Sequence, residues 1–287
     1  MEIGLKYNID LVEDVKNILA QDFWVYCHFI GTMIPKLTDP LKFTSNCSIF
    51  VKEGQGRIEI DLLPYDFKGP CIVNVRQGQI LQYAEFGHDF DASFIVLSKR
   101  FCDNLFVVLK DCPSYGTATL NQVVSIPPNL VDKFEKFYLH IKEIFQDSKN
   151  SNAYQAMVLA IASFFYECGT KCYPPVLDSH LKPTNRLTEK FLSLVQQHFK
   201  KERFLDFYAS QLEVSSKHLS RTIKDATGFT AVEWIDRFVI LEAKVLLKST
   251  TMSIQQISDE LNFASQSFFG KYFKKHTGRS PKEFRNS

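Results

Sequence analysis

The sequence predicts an α+β chain in two parts, an antiparallel β-rich region with a helical pair behind it, then an all-α domain built from two helix-turn-helix units. Three observations lead there. Short β-rich runs separated by turn residues occupy the stretch from Cys47 to about residue 125, the apolar spacing lengthens to a helical period after Pro127-Pro128, and one basic pattern occurs twice near the C-terminal end.

A chain of 287 residues with 45% hydrophobic content can bury more than one core, so two domains are the default. The net charge of +2 hides an asymmetry. From Asn185 onward there are 17 Lys and Arg against 11 Asp and Glu, a net of +6, which leaves −4 for the rest. The basic excess lies where the repeated pattern lies. No apolar run approaches the roughly 20 residues that span a bilayer, and no basic segment followed by an apolar one opens the chain, so no membrane role and a cytoplasmic location are expected. Seven cysteines, Cys27, Cys47, Cys71, Cys102, Cys112, Cys168 and Cys172, are an odd number and read as reduced thiols, several of them in the core.

In chain order, a short helix is expected from Leu11 to Leu19, then an apolar aromatic stretch from Phe23 to Ile34 that ends at Pro35. Strands follow at Cys47 to Lys52, at Arg57 to Leu63 after the turn Gly54-Gln55-Gly56, and at Cys71 to Val75 after Pro64 and Gly69-Pro70. Arg57-Ile58-Glu59-Ile60-Asp61-Leu62 alternates charged and apolar, the period of a strand with one buried face. Gln79 to Tyr83 and Ala92 to Leu97 continue the series, giving a small antiparallel barrel or sandwich. Leu130, Phe134, Phe137, Ile141 and Ile144 mark one amphipathic helix; Tyr154, Met157, Val158, Ile161 and Phe165 mark another, with a polar turn from Asp147 to Asn152 between them. Pro174-Pro175 ends the second, and Val176 to Thr184 reads as a linker. The expected domains are 1–125 for sensing or ligand binding, 126–173 for a helical dimerisation segment, 174–184 for the linker and 185–287 for the all-α part.

That last part opens with a helix over about 186–200, on Leu187, Phe191, Leu194, Val195 and Phe199. Thr230-x-x-Glu233, Ser253-x-x-Gln256 and Ser280-Pro281-x-Glu283 each match the capping box that starts a helix. The doubled pattern runs from Ser215 to Gly228 and again from Ser265 to Gly278. Ahead of each copy stands a short helix with anchors at Leu205, Tyr208 and Leu212 or at Ile254, Ile257 and Leu261, and a turn at Glu213-Val214 or Asn262-Phe263-Ala264. This is the sequence form of a helix-turn-helix, in which the second helix lies in the major groove of DNA.

Leu219 and Ile223, or Phe269 and Phe273, face inward and leave a polar face. On it lie Ser216, Lys217, Ser220 and Arg221 in the first copy and Gln266, Ser267, Gly270 and Lys271 in the second. Arg and Lys donate to guanine O6 and N7, and Gln pairs with adenine. Gly270 has no side chain and can only allow close approach. Lys224, Lys274 and Lys275 lie further along and suit phosphate. A charged face on one isolated helix is usually just solvated. Two copies, each with its own buttress and turn in the basic half of the chain, favour DNA binding. A helix from Ala231 to Leu247 connects them, with Val232, Ile235, Val239, Ala243, Leu246 and Leu247 available to pack on both sides. A rigid connector would fix the two reading helices at a set separation, about 34 Å for successive major grooves.

The chain resembles the AraC/XylS family of bacterial transcription regulators. The matching residues are Ser215 to Gly228, Arg237 with Ala243-Lys244-Val245-Leu246-Leu247, Ser253-Ile254-Gln255-Gln256-Ile257-Ser258, Asn262-Phe263, Phe268-Phe269 with Phe273-Lys274-Lys275, and Gly278-x-Ser280-Pro281-x-Glu283-Phe284-Arg285. Together they cover roughly residues 186–286. Asn262 stands where the family usually has glycine, Ser258 where it has alanine, and Ile223 where phenylalanine is common. Asn can adopt the left-handed conformation that glycine provides. The resemblance implies a cupin-like β-barrel ahead of the DNA-binding domain, dimerisation through the helices between them, promoter DNA and RNA polymerase as partners, a small-molecule effector, and more often activation than repression. A barrel mouth is a usual ligand site, and Phe23, Trp24, Tyr26, Phe29, Tyr83 and Phe86 suit an apolar ligand there, although such rings more often simply fill a core.

No enzyme, metal or cofactor chemistry is expected. His28, His88 and His140 are isolated, with no His-x-His pair for a catalytic cupin. Cys168-x-x-x-Cys172 closes a helix, and no thiol stands in a recognisable activated setting for methyl transfer. The competing class is a constitutive DNA binder whose N-terminal domain is a module for a protein or a membrane-derived lipid.

Overall fold

The computed structural model describes residues 22–30, 39–112, 121–147, 149–172 and 183–287. The helix expected from Leu11 to Leu19, Ile34 with Pro35, and Pro174-Pro175 with most of the expected linker lie outside them. The chain divides into two compact units, Met1–Val176 and Leu177–Ser287.

The strands of the first unit are β1 (Phe23–Ile30), β2 (Leu41–Lys42), β3 (Asn46–Glu53), β4 (Gln55–Ile60), β5 (Leu63–Lys68), β6 (Cys71–Val75), β7 (Ile80–Phe86), β8 (Asp91–Leu97) and β9 (Val123–Ser125). They form a five-stranded sheet in the order β1-β8-β3-β6-β9 and a four-stranded sheet in the order β2-β7-β4-β5. Every pairing is antiparallel. The β-rich expectation holds, but the cupin-like barrel is not closed: the described strands pair within two separate sheets, which face each other as a sandwich.

The larger sheet is buried on both faces, and the alternation of β6 shows how. Cys71, Val73 and Val75 point into the core between the sheets, while Ile72 points the other way, into a second core roofed by helices. Those helices are α1 (Lys99–Leu109), α2 (Val131–Gln146) and α3 (Ala153–Cys172). The second and third are the two read from apolar spacing, and Phe134, Ile141, Met157 and Ile161 are buried in that core. Helix α1 was not read from the sequence. Ser98 starts it by accepting from the Phe101 N–H at 3.1 Å, and Phe101, Leu105 and Leu109 bury one stripe.

The strand expected to run through Leu63 instead turns at Asp61 and Leu62, with φ of 50° and 70°. Both central residues of the hairpin turn are left-handed, the geometry whose twist matches its strands. Asp61 pins this turn, its carboxylate accepting from the Ile80 N–H at 2.8 Å and from Gln79 Nε2 at 2.9 Å. At Gly54, with φ of 90°, an added Cβ would meet the Phe90 Cα at 2.6 Å, so only glycine fits there.

The second unit is all helical: α4 (Pro183–His198), α5 (Leu205–Gln211), α6 (Ser216–Thr227), α7 (Ala231–Ser249), α8 (Ile254–Glu260), α9 (Gln266–Thr277) and α10 (Pro281–Asn286). Helix α4 starts at Pro183, inside the stretch expected to be linker, because proline is well suited to a first helical turn that lacks N–H partners anyway. The three expected capping boxes are all formed, at Thr230 with Glu233, Ser253 with Gln256 and Ser280 with Glu283. Among the described residues, no helix is long and apolar enough to cross a membrane.

Candidate nucleic-acid interface

The two helix-turn-helix units are built by the same local chemistry. Ser215 accepts from the His218 N–H and Ser265 from the Phe268 N–H, each at 3.2 Å. Gly228 and Gly278 end the helices in the left-handed conformation, with φ of 79° and 76°. Thr227 and Thr277 each donate back to the carbonyl four residues earlier, at 2.8 Å. In the turns, Glu213 and Asn262 both take positive φ, 55° and 53°. Asn262 thus does what its glycine-like position requires, whereas Glu213 holds the same conformation with a longer side chain that is rarely found there.

This scaffold fixes the orientation of α6 and α9. Leu219, Ile223, Phe269 and Phe273 are fully buried. Lys217, Arg221 and Lys224 on α6, and Gln266, Ser267, Lys271, Lys274 and Lys275 on α9, are exposed, while Ser220 and Gly270 are half-buried. Ser216 differs from the rest of its set, since its hydroxyl donates to Asp206 of α5 at 2.5 Å and so clamps the two helices of its unit together. Arg221 lies 3.7 Å from Asp225, both well exposed, a pair too solvated to hold the guanidinium back. Around Gly270 nothing lies within 4 Å of an added Cβ, so the fold itself does not require glycine.

Sequence reasoning missed Phe268, whose ring is 57% exposed on the N-terminal turn of α9 and leans on Phe263 at a centroid distance of 6.0 Å. A run of phenylalanines at 263, 268, 269 and 273 does not reveal which one faces out. Its counterpart in the first unit is His218, also exposed.

Connector α7 packs against α4, α6, α8, α9 and α10. Trp234, Ile235, Val239, Ala243 and Leu247 are buried along it, whereas Val232, expected to pack, is 45% exposed. Polar bonds lock both α6 and α9 to this helix. Trp234 Nε1 donates to Thr227 Oγ1 of α6 at 2.8 Å, and Tyr272 of α9 donates to Asp236 at 2.6 Å. Lys200 bridges the buried Glu242 of α7 at 3.2 Å and Glu260 of α8 at 2.7 Å. The Arg203 guanidinium stacks 3.7 Å over the Phe263 ring and donates to the Leu261 carbonyl.

Residues 208–287 match a helix-turn-helix domain family. The probable transcription factor PqrA of Proteus vulgaris is 36% identical over 83 residues, covering 29% of this chain and 68% of that protein. The chain belongs to the AraC/XylS family of transcription regulators. The arabinose operon regulatory protein of Salmonella typhimurium is 35% identical over 77 residues, so the match spans only 27% of that relative's length. Among solved structures, ToxT from Vibrio cholerae aligns over 92% of this chain and 98% of its own, at 16% identity and a TM-score of 0.44.

Two departures from the AraC/XylS pattern, Ile223 and Ser258, lie in the core. Ile223 fills its core position with no exposure. Ser258 is fully buried as well, and its hydroxyl has no hydrogen-bond partner. The described members of the six aromatics expected at a barrel mouth are spread over different surroundings. Phe23 packs in the helix-roofed core, Tyr26 and Phe86 pack on the core between the sheets, Trp24 stacks on Tyr26, Tyr83 bonds Glu85 at the surface, and the Phe29 side chain lies outside the described residues.

Proposed function

We propose that this chain is a sequence-specific DNA-binding transcription regulator, acting in the cytoplasm as an activator on promoter DNA and controlled by a ligand or partner of its first unit. The reading rests above all on the doubled unit, two helices held by identical caps on one connector, each turning cations outward. Lys217, Arg221, Gln266, Ser267 and Lys271 read base edges; Lys224, Lys274 and Lys275 grip phosphates; Ser220 and Gly270 let the helix come close; Ser216 positions α6 through Asp206. Activation implies contact with RNA polymerase. Dimerisation through the helices of the first unit is favoured by the exposed Leu139, Leu159 and Tyr166, to which α1 adds Phe106 and Val107.

Binding of the full chain to a promoter library, followed by gel shift on selected sites, tests this reading. Arg221→Ala and Lys271→Ala are expected to weaken selected-site binding by about 1 to 3 kcal/mol each and to relax preference at particular base pairs. Lys275→Ala is expected to lower the salt slope by about one and leave the preferred site unchanged. Equal binding of selected and random DNA by the wild-type chain would sink the proposal.

A further inference from the structure

The helix-roofed side of the larger sheet carries a half-open cavity of about 290 Å³ between β3, β6 and β8 below and α1, α2 and α3 above. We propose that it is a binding site for a small neutral aromatic molecule carrying one hydrogen-bond acceptor, and that this molecule is the effector. The inference rests on the regulatory reading given above and locates its ligand site away from the core between the two sheets.

Size comes first. Protein interiors rarely keep voids larger than a water molecule. An engineered cavity of roughly 150 Å³ lined by Leu, Ile and Phe takes up benzene. Space near twice that volume matches two fused rings with a short substituent. Its walls have the right chemistry: Ile72 and Ile95 from the sheet face Phe137, Ile161, Phe164 and Phe165 from the helices. Phe137 and Phe164 stack with centroids 4.0 Å apart and an interplanar angle of 17°, offering flat apolar surface to a flat guest.

One end of the cavity is polar. Asn46 lines it with its carbonyl oxygen anchored by the Gln77 N–H at 3.1 Å, which leaves its amide nitrogen donating to the Cys102 thiol at 3.2 Å. Sulfur is a weak acceptor, so a ligand carbonyl or ether oxygen offers this donor a better partner.

Two other ligand classes fit less well. Cys47, Cys102, Cys168 and Cys172 all line the cavity, yet burial pushes each thiol up, Cys47 to about 12 and Cys102 and Cys172 to about 11, which disfavours the nucleophilic thiolate, and among the described residues no His, Cys, Asp and Glu cluster is arranged to hold a metal ion. Arg76 is the one charged residue on the described wall; burial lowers its pKa, and the Asp61 carboxylate already supplies a counter-charge from within the chain. A neutral guest therefore suits the site better than an anion.

An occupant would bear on α3, which contributes Ile161, Phe164, Phe165, Cys168 and Cys172 to the wall. Cys172 is also the last residue of that helix, from which the chain passes on to the second unit. Ligand contact is thus concentrated on the last described element of the first unit.

The test is a titration of the full chain with the neutral naphthalene dye prodan, which carries one ketone oxygen and shifts its emission in apolar surroundings. Saturable, blue-shifted emission with one dye per chain is expected. Lys68→Ala, exposed on β5 of the smaller sheet and away from the cavity, should bind as well as wild type, whereas Cys168→Phe, which fills the space, should weaken binding by about tenfold or more. If Cys168→Phe loses cooperative melting, Ser48→Leu blocks the cavity from the sheet side and gives the same reading. The assignment is overturned by absence of saturable emission, by blocked variants that bind like wild type, or by preference for a naphthalene carboxylate over prodan. A gel shift on the same samples separates the two proposals: DNA binding without dye binding removes the cavity assignment alone, while dye binding without any DNA binding removes the effector role together with the function proposed above.

Discussion

Ser258 buries its hydroxyl completely without a partner, which costs desolvation energy that no bond returns. Its position is one where the AraC/XylS pattern usually has alanine. Ser258→Ala is therefore expected to raise stability by about 1 kcal/mol, read as a higher melting temperature of the full chain; an unchanged or lower one would mean that a partner is recruited there. Gly270 poses the opposite case. It sits inside α9 with open space around it, and glycine in a helix interior costs about 1 kcal/mol relative to alanine. Gly270→Ala should stabilise the fold by roughly that amount and yet weaken DNA binding, because the added methyl meets the duplex. Gel shift and thermal melting on the same variant decide it, since a rise in both would show that DNA does not approach this turn.

At the scale of elements, what was legible is what leaves a local mark. The capping boxes at Thr230, Ser253 and Ser280 could be read because donor and acceptor lie three residues apart, and each is formed. The hairpin at Asp61 and Leu62 could not, because the groups that hold it, Gln79 and Ile80, lie on a distant strand. Helix α1 was hidden for a related reason: its exposed Phe106, Val107 and Val108 break the polar half of the helical pattern. The boxes also carry a pH dependence. The Thr230 and Ser280 backbone N–H groups, then their hydroxyls, hold Glu233 and Glu283 below the usual carboxylate range of about 4.5. Groups lowered on folding give stability that is present above the unfolded value and lost as pH falls through the folded one. The melting temperature should thus decline as pH drops below about 5, less steeply in Glu233→Gln, while Thr230→Ala costs about 1 kcal/mol at neutral pH. An identical slope in Glu233→Gln would assign the acid sensitivity elsewhere.

For the whole molecule, the two helix-turn-helix units were legible because their pattern occurs twice, and a repeated face is harder to read as merely solvated than a single one. The cavity of the first unit was not, because its walls come from six elements spread between Asn46 and Cys172 and include residues, such as Cys168 and Phe165, whose spacing reads only as core. The same long-range assembly gives each unit its own closed core. Met157 has no exposure in the first, and Phe273 has none in the second. Chains with separable cores need not unfold in one step. Calorimetry of the full chain should resolve two transitions, with Met157→Ala lowering one and Phe273→Ala the other, each by about 3 kcal/mol or more in its own unit. In a unit of this size that is a shift of roughly 10 °C, large enough to assign each peak. A single peak that moves equally with both substitutions would mean that the units unfold as one, and that a ligand stabilising the first unit also stabilises the second without any change in how either is folded.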